Sequence, residues 1–326
     1  MDKEEKIKKI IATAKKTIEH EAATIVNLAD TIDAEFAEAV WAIYKSKGRI
    51  IVTGIGKSAI IGRKITATFN STGTPAIFMH AAEAIHGDLG IIQPDDIVLF
   101  ISKSGNTPEI KALLAVVKDL KNIIIAIVAN KASFLARHSD YVIHTPVEKE
   151  ACPNNLAPTA STTAQLVAGD AIASALIDLN GFTSEDFARF HPGGSLGKKL
   201  LYKVELLMND HPPAVFRKTP IKDVILEISR KRMGATAIVD DRGKHVLGII
   251  TDGDIRRMLE HGKFNPDVKA EDIMTPHPKK IHQEMLASAA LQIMETYSIT
   301  QLIVVDDNDH YTGMIHLHDI LKEGIS

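Results

Sequence analysis

The chain has 326 residues, 45% hydrophobic and 24% charged, which is too long for one small module and too apolar for pervasive disorder, so two or three folded domains are expected. Thirty-eight basic against 41 acidic side chains leave a net charge of −3, which excludes a protein living on nucleic acid and requires any anion to be bound locally. The single cysteine, Cys152, excludes an intramolecular disulfide, and a charged start with no apolar run near the ~18 residues of a membrane span points to the cytoplasm.

From Lys6 to about Lys47, apolar residues at helical spacing (Ile25, Leu28, Ile32, Phe36, Val40, Trp41) predict a long helical leader that packs on the body or on a partner subunit. Five short apolar runs follow, bounded by Gly, Pro, Asn or Asp: Arg49 to Thr53, Ala76 to Met79, Ile97 to Ser102, Asn122 to Ala129 and Tyr141 to His144. They read as strands buried on both faces with helices between most of them. The expected fold is therefore α/β, a doubly wound, mostly parallel five-stranded sheet whose ligands bind beyond the carboxyl ends of the strands. Ser161 to Leu179 predicts a helix closed by Gly181, and Phe182 to Leu200 leads to a boundary near Leu200 to Leu207.

The last third repeats itself: Met208 to Gly262 lies over Met274 to Gly324, with Asp240 over Asp306, Gly248 over Gly313 and Asp254 over Asp319. Each copy reads as helix, strand, turn, strand, helix. The turn Asp240-Asp241-Arg242-Gly243 between Ala235 to Val239 and Val246 to Ile250 is hairpin chemistry, so the region is a βαββα pair. The expected domains are residues 1–200, 208–266 and 274–326.

Two strand-to-helix turns suit a phosphate. In Thr53-Gly54-Ile55-Gly56-Lys57-Ser58 the glycines permit a tight turn, and Lys57 and Ser58 open a helix whose free amides favour an anion. A Walker A loop would need glycine where Ile51 stands. A dinucleotide fingerprint would need an acid about 20 residues on, where Phe78, Met79 and His80 stand, so both readings fail. A turn required only for packing remains the competing reading. The second turn, Ser102-Lys103-Ser104-Gly105-Asn106-Thr107-Pro108-Glu109, has Pro108 suited to the first helical position and Thr107 to the N-cap. Ser102, Ser104 and Thr107 then bring three hydroxyls to one helix start, a phosphate cradle built without recourse to a lysine; the alternative is an ordinary capped turn. Glu109 sits where the helix dipole favours a carboxylate. Taken from the residues alone, Glu150 reads as a solvated loop glutamate. His80 and His86, with Glu83 between them, fit either a zinc site in a folded-back loop or two polar-site histidines. Cys152 is assigned to packing.

From GIGKS to SKSGNTPE the chain resembles the SIS (sugar isomerase) family of phosphosugar isomerases and phosphosugar-binding regulators, and GIITDGDIRR and GMIHLHDILK resemble the strand-turn-helix signature of paired CBS modules. With HAAEAIHGDLG, KEACPNNLAPTASTT and GFTSEDFARFHPGGSLGKKLL, nearly the whole chain is similar to the arabinose-5-phosphate isomerase family. The resemblance implies a SIS-type sheet followed by two CBS modules. It also implies an aldose–ketose isomerase that interconverts D-ribulose 5-phosphate and D-arabinose 5-phosphate through an enediol, supplying Kdo for lipopolysaccharide or capsule. Such chemistry calls for carboxylate and imidazole groups of tuned pKa and requires no cofactor.

Residue by residue, the resemblance places catalytic roles on Lys57, Glu109, Glu150 and His191. His86 would contact a substrate hydroxyl or act as an acid. Lys57 would neutralise phosphate or steady the enediolate. Glu150 is the first choice for general base, although Thr66 to Ser71, the segment where the isomerase domain of glucosamine-6-phosphate synthase keeps its base glutamate, has none, and the assignment stays open. Gly56, Ser58, Gly73, Thr74, His86, Ser102, Ser104 and Thr107 form the expected substrate- and phosphate-binding set. A zinc at His80 would be inhibitory or structural. The CBS pair implies a regulatory adenine nucleotide or sugar nucleotide, with His316 in the second module standing where the first has Thr251. A homotetramer is implied, with no nucleic acid and no membrane as partner. Two alternatives stay open: a noncatalytic phosphosugar-sensing regulator, whose usual helix-turn-helix this chain lacks any resemblance to, and an isomerase of another phosphosugar such as a hexulose 6-phosphate.

Overall fold

The computed structural model describes every residue except Met1, Asp210 and Lys263, and divides into two compact units, Met1–Phe187 and Ala188–Ser326. The first unit opens with α1 (Lys3–Ala29) and α2 (Ala34–Lys45). The leader expected as one helix is thus two. Asp33 is the reason: its carboxylate accepts the amides of Glu35 and Phe36 and starts a fresh helix after the turn at Asp30.

The chain then alternates through β1 (Ile50–Gly54), α3 (Lys57–Ser71), β2 (Ala76–His80), α4 (Ala81–Ala84), β3 (Ile97–Ser102), α5 (Pro108–Asp119), β4 (Ile123–Val128), α6 (Phe134–His138), β5 (Tyr141–His144) and α7 (Ala160–Asn180). The strand order is β2-β1-β3-β4-β5 and every pair is parallel. Each strand begins and ends within one residue of its expected place. The short apolar runs are continuous because both faces are covered. Ile50, Val52, Leu99 and Ile127 pack under α2, α3 and α7, while Ile51, Val98, Phe100 and Ala126 pack under α5 and α6. The α3–α7 contact is close: a Cβ on Gly169 would overlap Ile65 Cδ1. Among the described residues no single helix is long and apolar enough to cross a membrane.

The second unit is entered along α8 (Ser184–Phe190) and α9 (Ser195–Leu201). The first repeat comprises β6 (Ala214–Phe216), α10 (Ile221–Lys231), β7 (Ala235–Val239), β8 (Val246–Thr251), α11 (Asp252–Glu260) and α12 (Ala270–Ile273), with β9 (Thr275–Pro276) completing a four-stranded sheet. The second comprises β10 (Lys280–His282), α13 (Ala287–Tyr297), β11 (Gln301–Val305), β12 (Tyr311–His316) and α14 (Leu317–Lys322). The expected hairpin is present: β7 and β8 are antiparallel, and Gly243, at φ 70°, closes the turn by donating to Asp240 O at 2.8 Å. β11 and β12 form its counterpart. The hairpins of the two repeats meet in one core, where Met233, Ala235 and Val239 join Ile303, Val305 and Met314.

Candidate active site

β1 and β3 are neighbours at the middle of the sheet, and both turn into helices at their carboxyl ends. A cleft of about 290 Å³ lies between these turns, lined by Lys57 and Ser58 on one side, Ser102, Lys103, Ser104 and Thr107 on the other, and Ser161 and Thr162 from the start of α7. This gathers four of the eight residues of the expected substrate- and phosphate-binding set, Ser58, Ser102, Ser104 and Thr107. Neither α3, which starts after Gly56 at φ 60°, nor α5, which starts after Thr107, has a side-chain cap, so their first amides are left for an anion. The second turn depends on Gly105: at φ 63°, with a Cβ that would overlap Ser133 Oγ, the position excludes any side chain. Ser102 Oγ accepts the Gly105 amide at 3.1 Å and Ser104 Oγ accepts the Asn106 amide at 3.3 Å, which leaves both hydroxyl protons to donate. Ser58 Oγ donates to Gln165 Oε1 at 3.0 Å, and Gln165, buried on α7, went unnoticed in the sequence because nothing local marks it.

Glu150 is 3% exposed, the opposite of a solvated loop glutamate. Its Oε1 takes Lys103 Nζ at 2.5 Å, and its Oε2 takes the amides of Thr159 at 2.9 Å and Ser161 at 3.1 Å. The loop is folded around this carboxylate, with the Glu150 amide on Asn155 Oδ1 at 2.6 Å and the Ala151 amide on Thr159 Oγ1 at 2.9 Å. Burial pushes the carboxyl pKa up, but the bonds from Lys103, Ser161 and Thr159 outweigh it and hold it at about 2. Behind the loop lies a second cavity of about 520 Å³, lined by Thr13, Lys16 and His20 of α1 and by Lys149, Cys152 and Asn155. Cys152 Sγ accepts the amides of Leu156 and Ala157 at 3.0 and 3.1 Å.

The other expected residues are placed as follows. Glu109, on the first turn of α5, keeps one carboxylate oxygen, Oε2, buried with no hydrogen-bond partner among the described residues. His80 ends β2 and His86 follows α4, so both stand at the sheet edge that carries the cleft without lining it. His80 Nδ1 accepts the Ala82 amide at 3.3 Å, and among the described residues no group of three His, Cys, Asp or Glu side chains could hold a metal. The residues around His80 therefore do not fit a zinc site. Gly73 and Thr74 precede β2 at the opposite end of the sheet, beside Ser46, Arg49 and Asn180, and within one chain they are not brought to the cleft. The reason is topological: α3 carries the chain from the carboxyl end of β1 back to the amino end of β2. His191 belongs to the second unit, where it follows α8 and accepts the Gly194 amide through its carbonyl at 3.1 Å.

In the first repeat a cleft of about 320 Å³ is lined by Ile225, Ser229, Arg232, Gly234 and Asp252. Thr251 caps α11, its hydroxyl bonding Asp254 Oδ2 at 2.7 Å. In the second repeat His316 caps α14, its Nδ1 accepting the His318 amide at 3.0 Å. The ring thus takes over the capping that the threonine performs in the first repeat.

The SIS domain family matches residues 42–175, and the CBS domain family matches residues 204–261 and 270–326. The chain is 44% identical over 317 residues to arabinose 5-phosphate isomerase KdsD of Pseudomonas aeruginosa PAO1, covering 97% of each. It is 44% identical over 313 residues to arabinose 5-phosphate isomerase KdsD of Escherichia coli K12, covering 95% of each. Among solved structures, c3406 of E. coli CFT073 in complex with arabinose 5-phosphate is 40% identical with a TM-score of 0.56, matching 59% of this chain and 100% of that one.

Proposed function

Because the chain belongs to the arabinose 5-phosphate isomerase family, a SIS domain joined to a CBS pair, we propose that it interconverts D-ribulose 5-phosphate and D-arabinose 5-phosphate in the cleft between the β1–α3 and β3–α5 turns. The observation that carries this reading is an arrangement of uncapped helix amides and hydroxyls around one cleft, in a chain similar along nearly its whole length to enzymes of that name. The phosphate sits on the amides of α3 and α5, with the hydroxyls of Ser102, Ser104 and Thr107 and the charge of Lys57 around it, while Ser58 lines the cleft with its hydroxyl proton given to Gln165. The sugar is then held in its open form. A base removes the C1 proton of the ketose and the electron pair passes through the new C1–C2 double bond to the C2 oxygen, which is protonated. Loss of the O1 hydroxyl proton then forms the C1 carbonyl as a proton is returned to C2, completing the aldose.

Of the two carboxylates put forward for this transfer, Glu109 has an oxygen without a partner among the described residues, whereas both oxygens of Glu150 are engaged. His86 and His191 are the imidazoles assigned to move hydroxyl protons. The enzyme is placed in the cytoplasm as a homotetramer, with its product directed to Kdo for lipopolysaccharide or capsule. The CBS pair is assigned regulation by an adenine nucleotide or sugar nucleotide at the cleft of Arg232, Gly234 and Asp252.

Incubation with ribulose 5-phosphate in deuterated water, followed by proton NMR with and without a chelator, tests the reading. Arabinose 5-phosphate carrying deuterium at C2 is expected, in equal amount with chelator present. Substrate that stays unchanged and unlabelled would overturn it.

A further inference from the structure

Lys103 lies between the two serines of the second turn, and its side chain, 43% exposed, lines the cleft. Its ammonium reaches toward the start of α7 and meets Glu150 Oε1, while the other oxygen of that carboxylate is fixed by the amides of Thr159 and Ser161. A free lysine is a mobile point charge on a flexible stem, but one tied to a buried, fully bonded carboxylate is held in place. One of its three N–H groups is taken by Glu150, and the other two have no protein partner among the described residues. Glu150 itself is poorly suited to take a proton from carbon, since both its oxygens already accept hydrogen bonds and its pKa is held at about 2.

We propose that Glu150 is a positioning residue and that Lys103, which it aims, is the cation that meets the charge developing on the sugar oxygen during isomerisation. This rests on the isomerase reading above. When the C1–H bond of the ketose breaks, its proton goes to the base and its electron pair ends on the C2 oxygen. Lys103 donates a hydrogen bond to that oxygen and keeps its own proton. A fixed donor of this kind acts in the transition state rather than in substrate binding, because the charge it faces appears only there.

The test uses the full-length chain and the variants Lys103→Met, Lys103→Arg, Glu150→Gln and Lys103→Met/Glu150→Gln, with kcat and KM measured for both sugars and folding checked by circular dichroism. The double variant removes the charge together with its counter-charge, so it keeps the test usable if either single variant folds poorly. Lys103→Met should lower kcat about 10²- to 10³-fold, with KM moving less than about threefold, and Lys103→Arg should recover part of the loss. Glu150→Gln should lose kcat with little change in KM, and the double variant should be no slower than the slower single variant, as for groups acting as one unit. Lys103→Met at wild-type kcat, a loss confined to KM, or a double-variant loss equal to the product of the single losses would each overturn the assignment while leaving the isomerase reading intact. A wild-type chain that converts neither sugar removes both.

Discussion

Glu150 and Cys152 stand two positions apart on one loop, and backbone amides set the chemistry of both. For Glu150 the consequence is a pH dependence. Its pKa is lowered from the ordinary 4.5 to about 2, so its ionised form adds stability that is fully present above pH 4.5 and is lost as the pH falls toward 2. Thermal melts should therefore show wild type exceeding Glu150→Gln by a margin that is constant above pH 4.5 and shrinks toward pH 2. For Cys152, partial burial pushes the thiol pKa up, but amides of Leu156, Ala157 and Asn154 outweigh it and bring it below the usual value. Iodoacetamide should accordingly reach its half-maximal alkylation rate at a lower pH than it does with an ordinary cysteine in a short peptide. Cys152→Ser, which keeps an acceptor for those amides, should retain turnover. Neither environment was legible locally. Lys103 lies 47 positions from Glu150, so the sequence offered Glu150 only through family resemblance and passed over Lys103, although it sits inside the motif. Ser102, Ser104 and Thr107 were legible because a single turn brings them together.

At the scale of elements, the strands of the first unit could be read to within a residue because burial on both faces leaves no polar position to blur their ends. The leader could not. Its apolar spacing continues across Asp30 to Asp33, and only the capping geometry of Asp33 reveals two helices. The same limit hid the end of the sheet at which Gly73 and Thr74 lie, since that follows from the path of α3 and not from their own chemistry. Gly169 carries the clearest packing demand between elements. A side chain there would drive α7 away from Ile65, which is fully buried on α3. Gly169→Val should cost about 2 kcal/mol or more in urea unfolding, as overpacking of a filled core does. Because α7 also lines the cleft with Ser161 and Thr162 and holds Ser58 through Gln165, the variant's KM for phosphosugar should rise as well.

For the whole molecule, the repeat gave away the second unit before any residue was assigned a role, because self-similarity needs no knowledge of packing. Its ligand could not be read in the same way: Thr251 and His316 serve equally well as helix caps, so their presence says nothing by itself about a nucleotide. The cleft between the β1–α3 and β3–α5 turns, by contrast, is built wholly within the first unit.

The contrast in strand pairing between the units has a kinetic consequence. In the first sheet every neighbouring pair is parallel, so no two strands can join until a crossover has been laid down. In the second unit β7–β8 and β11–β12 are hairpins that close over short turns. Local closure is fast and distant pairing slow. On dilution from urea, pulse-labelled amides of the two hairpins should gain protection before those of β1 and β3. Fluorescence of Trp41, the chain's only tryptophan and part of α2, should return with the later phase. Simultaneous recovery of both signals would show instead that the hairpins wait for the crossovers.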